Sequence, residues 1–278
     1  MKRLLLAFAL LVAGAAAGDT PVSTTECSDT SPSQSACTAT ENVQCTCAAT
    51  VASTPASSLL TGLVNYWTLD EASGTRADSA GSVTLTDVNT VGAVAGKHNN
   101  AASYVLGSAE TLTASGFSLP SGDMTLSFWL QPTIDNDDAQ RGFFGIGTTW
   151  TSATALNIYW APATDKLRLL CGDDAGAYKN VDSLTAVPFG SWYHVVVTYT
   201  ASTKVYTIYV NGDAGASTSA LTGGPYRTAS TLWAGGRYTV AAYETHYLDE
   251  VGIWSRVLSA DERATLYNSG AGKFYPTF

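Results

Sequence analysis

The sequence predicts an all-β protein, an antiparallel two-sheet jelly-roll sandwich with one short C-terminal helix. Three observations point there. The chain carries many short runs rich in Val, Ile, Tyr and Thr, punctuated by Gly, Asn and Asp, the spacing of an all-β fold. Trp192 to Asp213 reads as a hairpin: two β-branched and aromatic runs flank the polar break Thr200–Thr203, and Asn211-Gly212 closes the second run because both residues tolerate positive φ. A parallel sheet would need long helical crossovers between strands, and the sequence shows none.

In order, Leu63–Leu69 is the first predicted strand, and Asp70 to Gly81 is rich in turn residues. Further strands are predicted at about 101–106, 109–114, 123–131, 141–147, 154–160, 165–171, 192–199, 204–210, 229–236 and 246–255. The helix is predicted over Ser259–Asn268. Ser259 can cap it with Glu262 three residues on, a capping box, and Gly270 and Gly272 end it.

Before the sandwich lie two other zones. Met1-Lys2-Arg3, the apolar run Leu4–Val12 and Ala15-Ala16-Ala17 have the three parts of a secretory signal peptide, residues 1–17, too short to span a bilayer. Residues 18–60 form a Ser/Thr-rich, Cys-containing segment and linker with no Lys or Arg, leaving 61–278 for the sandwich. Cys27, Cys37, Cys45 and Cys47 are an even set, which in an exported chain argues for disulfides. Cys45 and Cys47 are too close to pair readily, so each is expected to reach Cys27 or Cys37, and two connectivities stay open. Metal binding by the four is the alternative, although C-x-C without His is not a standard zinc spacing.

Only 13% of the 278 residues are charged and the formal net charge is −9. The chain lacks the basic footprint of nucleic-acid binding. No later apolar stretch is long enough to span a membrane.

Four stretches, in order, resemble the laminin-G-like, concanavalin-A-like lectin family. They are GLVNYWTLDE from Gly62, followed by Ser73-Gly74 and DSAG from Asp78; MTLSFWLQP from Met124; the hairpin's WYHVVVTY and YVNG; and LDEVGIW from Leu248, followed by LSADE from Leu258. Together they cover about residues 62–270. The resemblance implies a concanavalin-A-like jelly roll and places Trp67, Trp129, Trp192 and Trp254 in strands as core residues. It also implies a structural Ca²⁺ held by oxygen ligands, for which Asp70, Asp78 and Asp249 match acidic family positions. The competing reading is that Asp78 caps its turn and that Asp249 or Glu250 pairs with an arginine such as Arg256.

Fold does not decide function. Related β-glucanases carry two carboxylates on one strand as E-x-D-x-x-E, and no such arrangement occurs here. Asp135, Asn136, Asp137 and Asp138 read as a solvated turn, and His98, His194 and His246 are scattered. Cys171 reads as a buried, inert thiol. The expectation is a non-enzyme. Sugar CH faces stack on aromatic rings, so Trp150, Trp160, Tyr226, Tyr238 and Tyr243, with Tyr178, are the candidate ligand contacts. The sequence therefore predicts a secreted or cell-surface module that binds glycan or an extracellular partner. The alternative is an adhesive protein that self-associates through its sheet edges or N-terminal arm.

Overall fold

A computed structural model of the chain describes residues 58–133, 142–147, 154–161, 164–224, 230–236 and 245–278. The chain divides into two units, Met1–Val51 and Ala52–Phe278, and the described residues all belong to the second. Cys27, Cys37, Cys45, Cys47 and the acidic run 135–138 lie outside them.

Fifteen strands are present among the described residues: β1 (Leu63–Trp67), β2 (Thr86–Val88), β3 (Gly92–Ala95), β4 (Asn100–Tyr104), β5 (Thr111–Phe117), β6 (Met124–Pro132), β7 (Gly142–Gly147), β8 (Thr154–Ala161), β9 (Lys166–Gly172), β10 (Tyr178–Ala186), β11 (Tyr193–Thr200), β12 (Val205–Val210), β13 (Ala216–Ser217), β14 (Ser230–Ala234) and β15 (His246–Trp254). They form two antiparallel sheets. One has eight strands in the order β13-β12-β11-β6-β15-β4-β3, with β1 also paired to β15. The other has seven, in the order β10-β9-β8-β7-β14-β5-β2. The predicted class, a concanavalin A-like sandwich, is the observed one. Strands β2, β3, β10 and β13 were not foreseen.

Alternation explains the core. In β12, Tyr206, Ile208 and Val210 are buried while Val205, Thr207 and Tyr209 are half-buried. The inward residues of both sheets, among them Trp67, Phe128, Phe144, Tyr199, Leu169 and Ile253, make one interior. Strands β6 and β11 are buried on nearly every residue, so their outer faces are covered too. A second cluster, Leu59, Tyr66, Trp254, Leu258 and Leu266 with Tyr275 and Phe278 against it, supplies part of that cover.

This second layer corrects the expectation for three of the four tryptophans. Trp67 lies between the sheets. Trp254 belongs to the outer cluster, and Trp129, 2% exposed, pairs its ring with His194 and Tyr267 on the same outer side. Trp192 precedes β11 and is only half-buried, beside Tyr247.

Helix α1 (Ala260–Tyr267) begins with the predicted reciprocal capping box of Ser259 and Glu262 and ends at Asn268 in the left-handed conformation. Arg256 ties the start of the domain to this helix. Its Nε donates to Thr61 O and its Nη2 to Ser58 O, each at 2.7 Å, while the guanidinium pairs with both oxygens of Glu262. Trp254 Nε1 donates to Leu59 O at 2.7 Å.

Candidate functional site

Asp249 and Glu250 are neighbours on β15, and simple alternation would send their side chains to opposite faces. A bulge prevents this. The β15–β6 register shifts between Asp249 and Gly252, and Glu250 takes φ 53°. Asp249 sits opposite Trp129, on the outer side of the sheet. Both carboxyls then meet the β3–β4 turn at His98. Asp249 Oδ2 accepts the backbone N–H of Lys97 at 2.8 Å and of His98 at 3.0 Å, and Glu250 Oε1 lies 3.2 Å from His98 Nδ1. Tyr66 donates its hydroxyl to Glu250 Oε2. The approach is close enough that a Cβ at Gly96 would meet Asp249 Oδ2 at 2.6 Å, which is why the turn needs glycine there. Phe274 stacks on the His98 ring at 4.4 Å.

Asp249 is 0% exposed and Glu250 3%. Burial is the main cause that pushes Asp249 up to about 9 and Glu250 to about 8; the charge of Glu250 adds to the rise at Asp249, and that of Asp70 adds to both. Asp249 Oδ1 is buried without a hydrogen-bond partner. The buried pair pins the β3–β4 turn to β15.

Asp78 is used differently. Its Oδ1 accepts Tyr66 N, Ala80 N and Gly81 N, and its Oδ2 accepts Asn65 Nδ2 and Val83 N. Burial would raise this carboxyl, but the five donors together outweigh it and hold it below its ordinary value. Asp70 accepts Asn99 Nδ2 and Asn100 N. The structure thus brings Asp70 and Asp249 to the two ends of one turn and leaves Asp78 organising another. Both oxygens of Asp78 are already filled by N–H donors, so the three aspartates do not fit a single Ca²⁺. Among the described residues, no group of three or more His, Cys, Asp or Glu is arranged to hold a metal ion. The Arg256 pairing expected for Asp249 or Glu250 is instead made with Glu262.

Of the aromatic candidates, Trp160 is 4% exposed in the interior with its ring against Phe143, so it offers no face to a sugar. Tyr178 is 50% exposed on the edge strand β10. Trp150, Tyr226, Tyr238 and Tyr243 lie outside the described residues. His194 is 2% exposed, bonded through Nε2 to Ser127 Oγ at 2.8 Å, and burial lowers it to about 3, a neutral structural imidazole. Cys171 is free and buried, and burial raises its thiol.

Two surface cavities among the described residues lie near the outer layer and the sandwich rim. One, about 320 Å³, lies at the β1 and β5 rim beside Asn65, Ser82, Ser115 and Phe117. The other, about 230 Å³, lies between the outer face of the β11–β12 hairpin and α1. Sequence reasoning missed Glu250 and His98 beside Asp249, and Arg263 as a residue lining a cavity. The first two were hidden by the bulge. The third sits in the helix motif, whose partner surface only the fold reveals.

A family model described as the concanavalin A-like lectin/glucanases superfamily matches residues 106–262. No curated protein sequence is a match. Among solved structures, the binding domain of Paraclostridial Mosquitocidal Protein 1 is similar, with TM-score 0.61 and 20% identity over 76% of this chain and 53% of that one. The botulinum neurotoxin serotype D binding domain has TM-score 0.59 and 13% identity over 74% and 51%. Trypanosoma rangeli sialidase has TM-score 0.58 and 16% identity over 76% and 34%. The chain therefore spans between a third and about half of the length of these structures.

Proposed function

Because the chain belongs to the concanavalin A-like lectin/glucanase superfamily, we propose that it is a secreted binding module that recognises carbohydrate, or a partner on a cell surface, and carries out no chemistry on it. The observation that carries this reading is the state of the acidic pair. Glycoside hydrolysis needs two carboxyl groups flanking a scissile bond, with water or a nucleophile between them. Asp249 and Glu250 are instead buried, adjacent and bonded to Lys97, His98 and Tyr66 of the chain itself. The toxin binding domains that share the fold support the binding side of the proposal. No helix among the described residues is long and apolar enough to cross a membrane.

A glycan array probed with the full chain, with calcium and again with a chelator, tests this. Hits insensitive to the chelator are expected. Release of reducing sugar from any array hit would overturn the non-enzymatic part, and a blank array with folded protein would overturn carbohydrate recognition.

A second reading, self-association, is favoured by β10. This edge strand exposes Tyr178 at 50% and Leu184 at 51% beside Phe189 at 52%. A concentration-dependent increase in mass by light scattering, abolished by Leu184→Lys, is its expected signature.

A further inference from the structure

The cavity between the β11–β12 hairpin and α1 carries a group that the rest of the molecule leaves unused. We propose that it binds a single anionic sugar residue, whose carboxylate or sulfate pairs with the guanidinium of Arg263; the inference rests on the carbohydrate-binding reading and gives it a site.

The walls are the turn after β12 and helix α1, and the floor is His194 and Val196 of β11. Arg263 is held there. Its Nη1 donates to Leu258 O at 2.6 Å, and its Cζ lies 4.1 Å from the Tyr209 ring centre. Tyr209 is fixed in turn, because its ring lies directly against Gly215, where an added Cβ would collide with it.

Among the described residues, Arg263 has no acidic partner. Among the described arginines, Arg168 pairs with Asp182, Arg256 with Glu262 and Arg76 with Glu71, and Arg263 alone lacks a carboxylate. Asp213, the one carboxylate lining the cavity, is spent elsewhere. Its Oδ1 accepts Val210 N and Gly215 N, and its Oδ2 accepts the backbone N–H and hydroxyl of Thr185. Arg263 is thus a positioned guanidinium at the cavity wall with no carboxylate of the described residues paired to it.

A preorganised guanidinium fork recognises planar carboxylate or sulfate oxygens better than a point charge does. The cavity, about 230 Å³, is smaller than the roughly 300–1,000 Å³ of drug-sized sites, so it admits one ring and not an extended chain.

The test is an amide NMR titration of the full-length protein with glucuronate, N-acetylneuraminate, glucose 6-sulfate, glucose, and acetate and sulfate as bare anions. Saturable shifts at Gly212–Gly215 and Ala264 are expected with at least one anionic sugar, weaker by tenfold or more with glucose and the bare anions. The carboxylate and sulfate arms identify which group is preferred. Arg263→Ala and Arg263→Lys should both lose the response at least tenfold; a melting curve confirms folding, and the Lys variant retains the charge without the fork. Equal shifts with glucose or with bare anions, or binding unchanged in both variants, would overturn the site. Anionic array hits that survive Arg263→Ala would overturn it while leaving carbohydrate recognition standing.

Discussion

Two aspartates of this molecule, Asp78 and Asp249, are a controlled comparison. Both hold a turn against the eight-stranded sheet by accepting backbone N–H groups. Asp78 is part-exposed and has five donors on its two oxygens, and it sits below its ordinary value. Asp249 is fully buried, receives two donors on one oxygen and none on the other, and is pushed up to about 9. Donor number, weighed against desolvation, decides whether a buried carboxyl holds its turn as an anion or as an acid.

The largest test removes the dryness on which the comparison depends. Trp129 lies beside Asp249 in the sheet register, and Trp129→Ala should cost about 3–5 kcal/mol, measured by urea unfolding. If the variant folds, Asp249 should also titrate lower; unchanged stability would show that the outer layer is not a true core. Next, Asp78→Ala strands several N–H donors at a partly wet site and should cost about 2–3 kcal/mol. Asp249→Asn should cost less than about 1 kcal/mol at neutral pH, since an amide oxygen can accept the same two N–H groups as the protonated acid.

The two regions also predict opposite responses to pH. Asp249 and Glu250 have folded values above their unfolded ones, so the folded chain holds protons that the unfolded chain releases. Their contribution is fully present below about pH 4 and is lost as pH rises through about 8 and 9, by up to about 1.4 kcal/mol per unit for each group. Asp78 runs the other way: its contribution is present above its unfolded value and is lost as pH falls below it. Stability should therefore decline from pH 5 to pH 8.5, and Asp249→Asn should flatten that decline. A flat profile in the unmutated protein would mean that the pair is ionised. Calcium should have the smallest effect. A site of about 0.1 mM affinity would add roughly 1.8 kcal/mol at about 2 mM Ca²⁺, whereas no shift in melting is expected; a chelator-sensitive shift of that size would give Asp70 and Asp249 an ion after all.

The sequence revealed what local rules govern. The Asn211-Gly212 turn has both residues at positive φ, 52° and 73°, and the Ser259–Glu262 box is formed as expected, because caps and tight turns are written within four residues. It did not reveal β10, whose sequence YKNVDSLTA carries little apolar alternation because this edge strand is exposed or half-buried at every position except Ser183. Alternation also separates Tyr66 from Trp67, but cannot say that both faces of the sheet are covered. Trp129 and Trp254 thus looked like residues between the sheets. Asp249 was singled out, yet its partnership with Glu250 depends on one extra residue in a ladder, which no periodicity announces. At the ligand site, Tyr209 and Gly212 were visible as a hairpin and Arg263 as part of a helix. Their meeting is a tertiary fact.

The fastening of Ser58 and Leu59 also has a mechanical meaning. Any pull on the chain ahead of Ser58 reaches Arg256 and Trp254 through the carbonyls of Ser58, Leu59 and Thr61 before it reaches the β1–β15 ladder. Arg256 hands part of that load to Glu262 and so to helix α1. Tension applied at Ser58 should therefore be shared between the outer layer and the β1–β15 ladder.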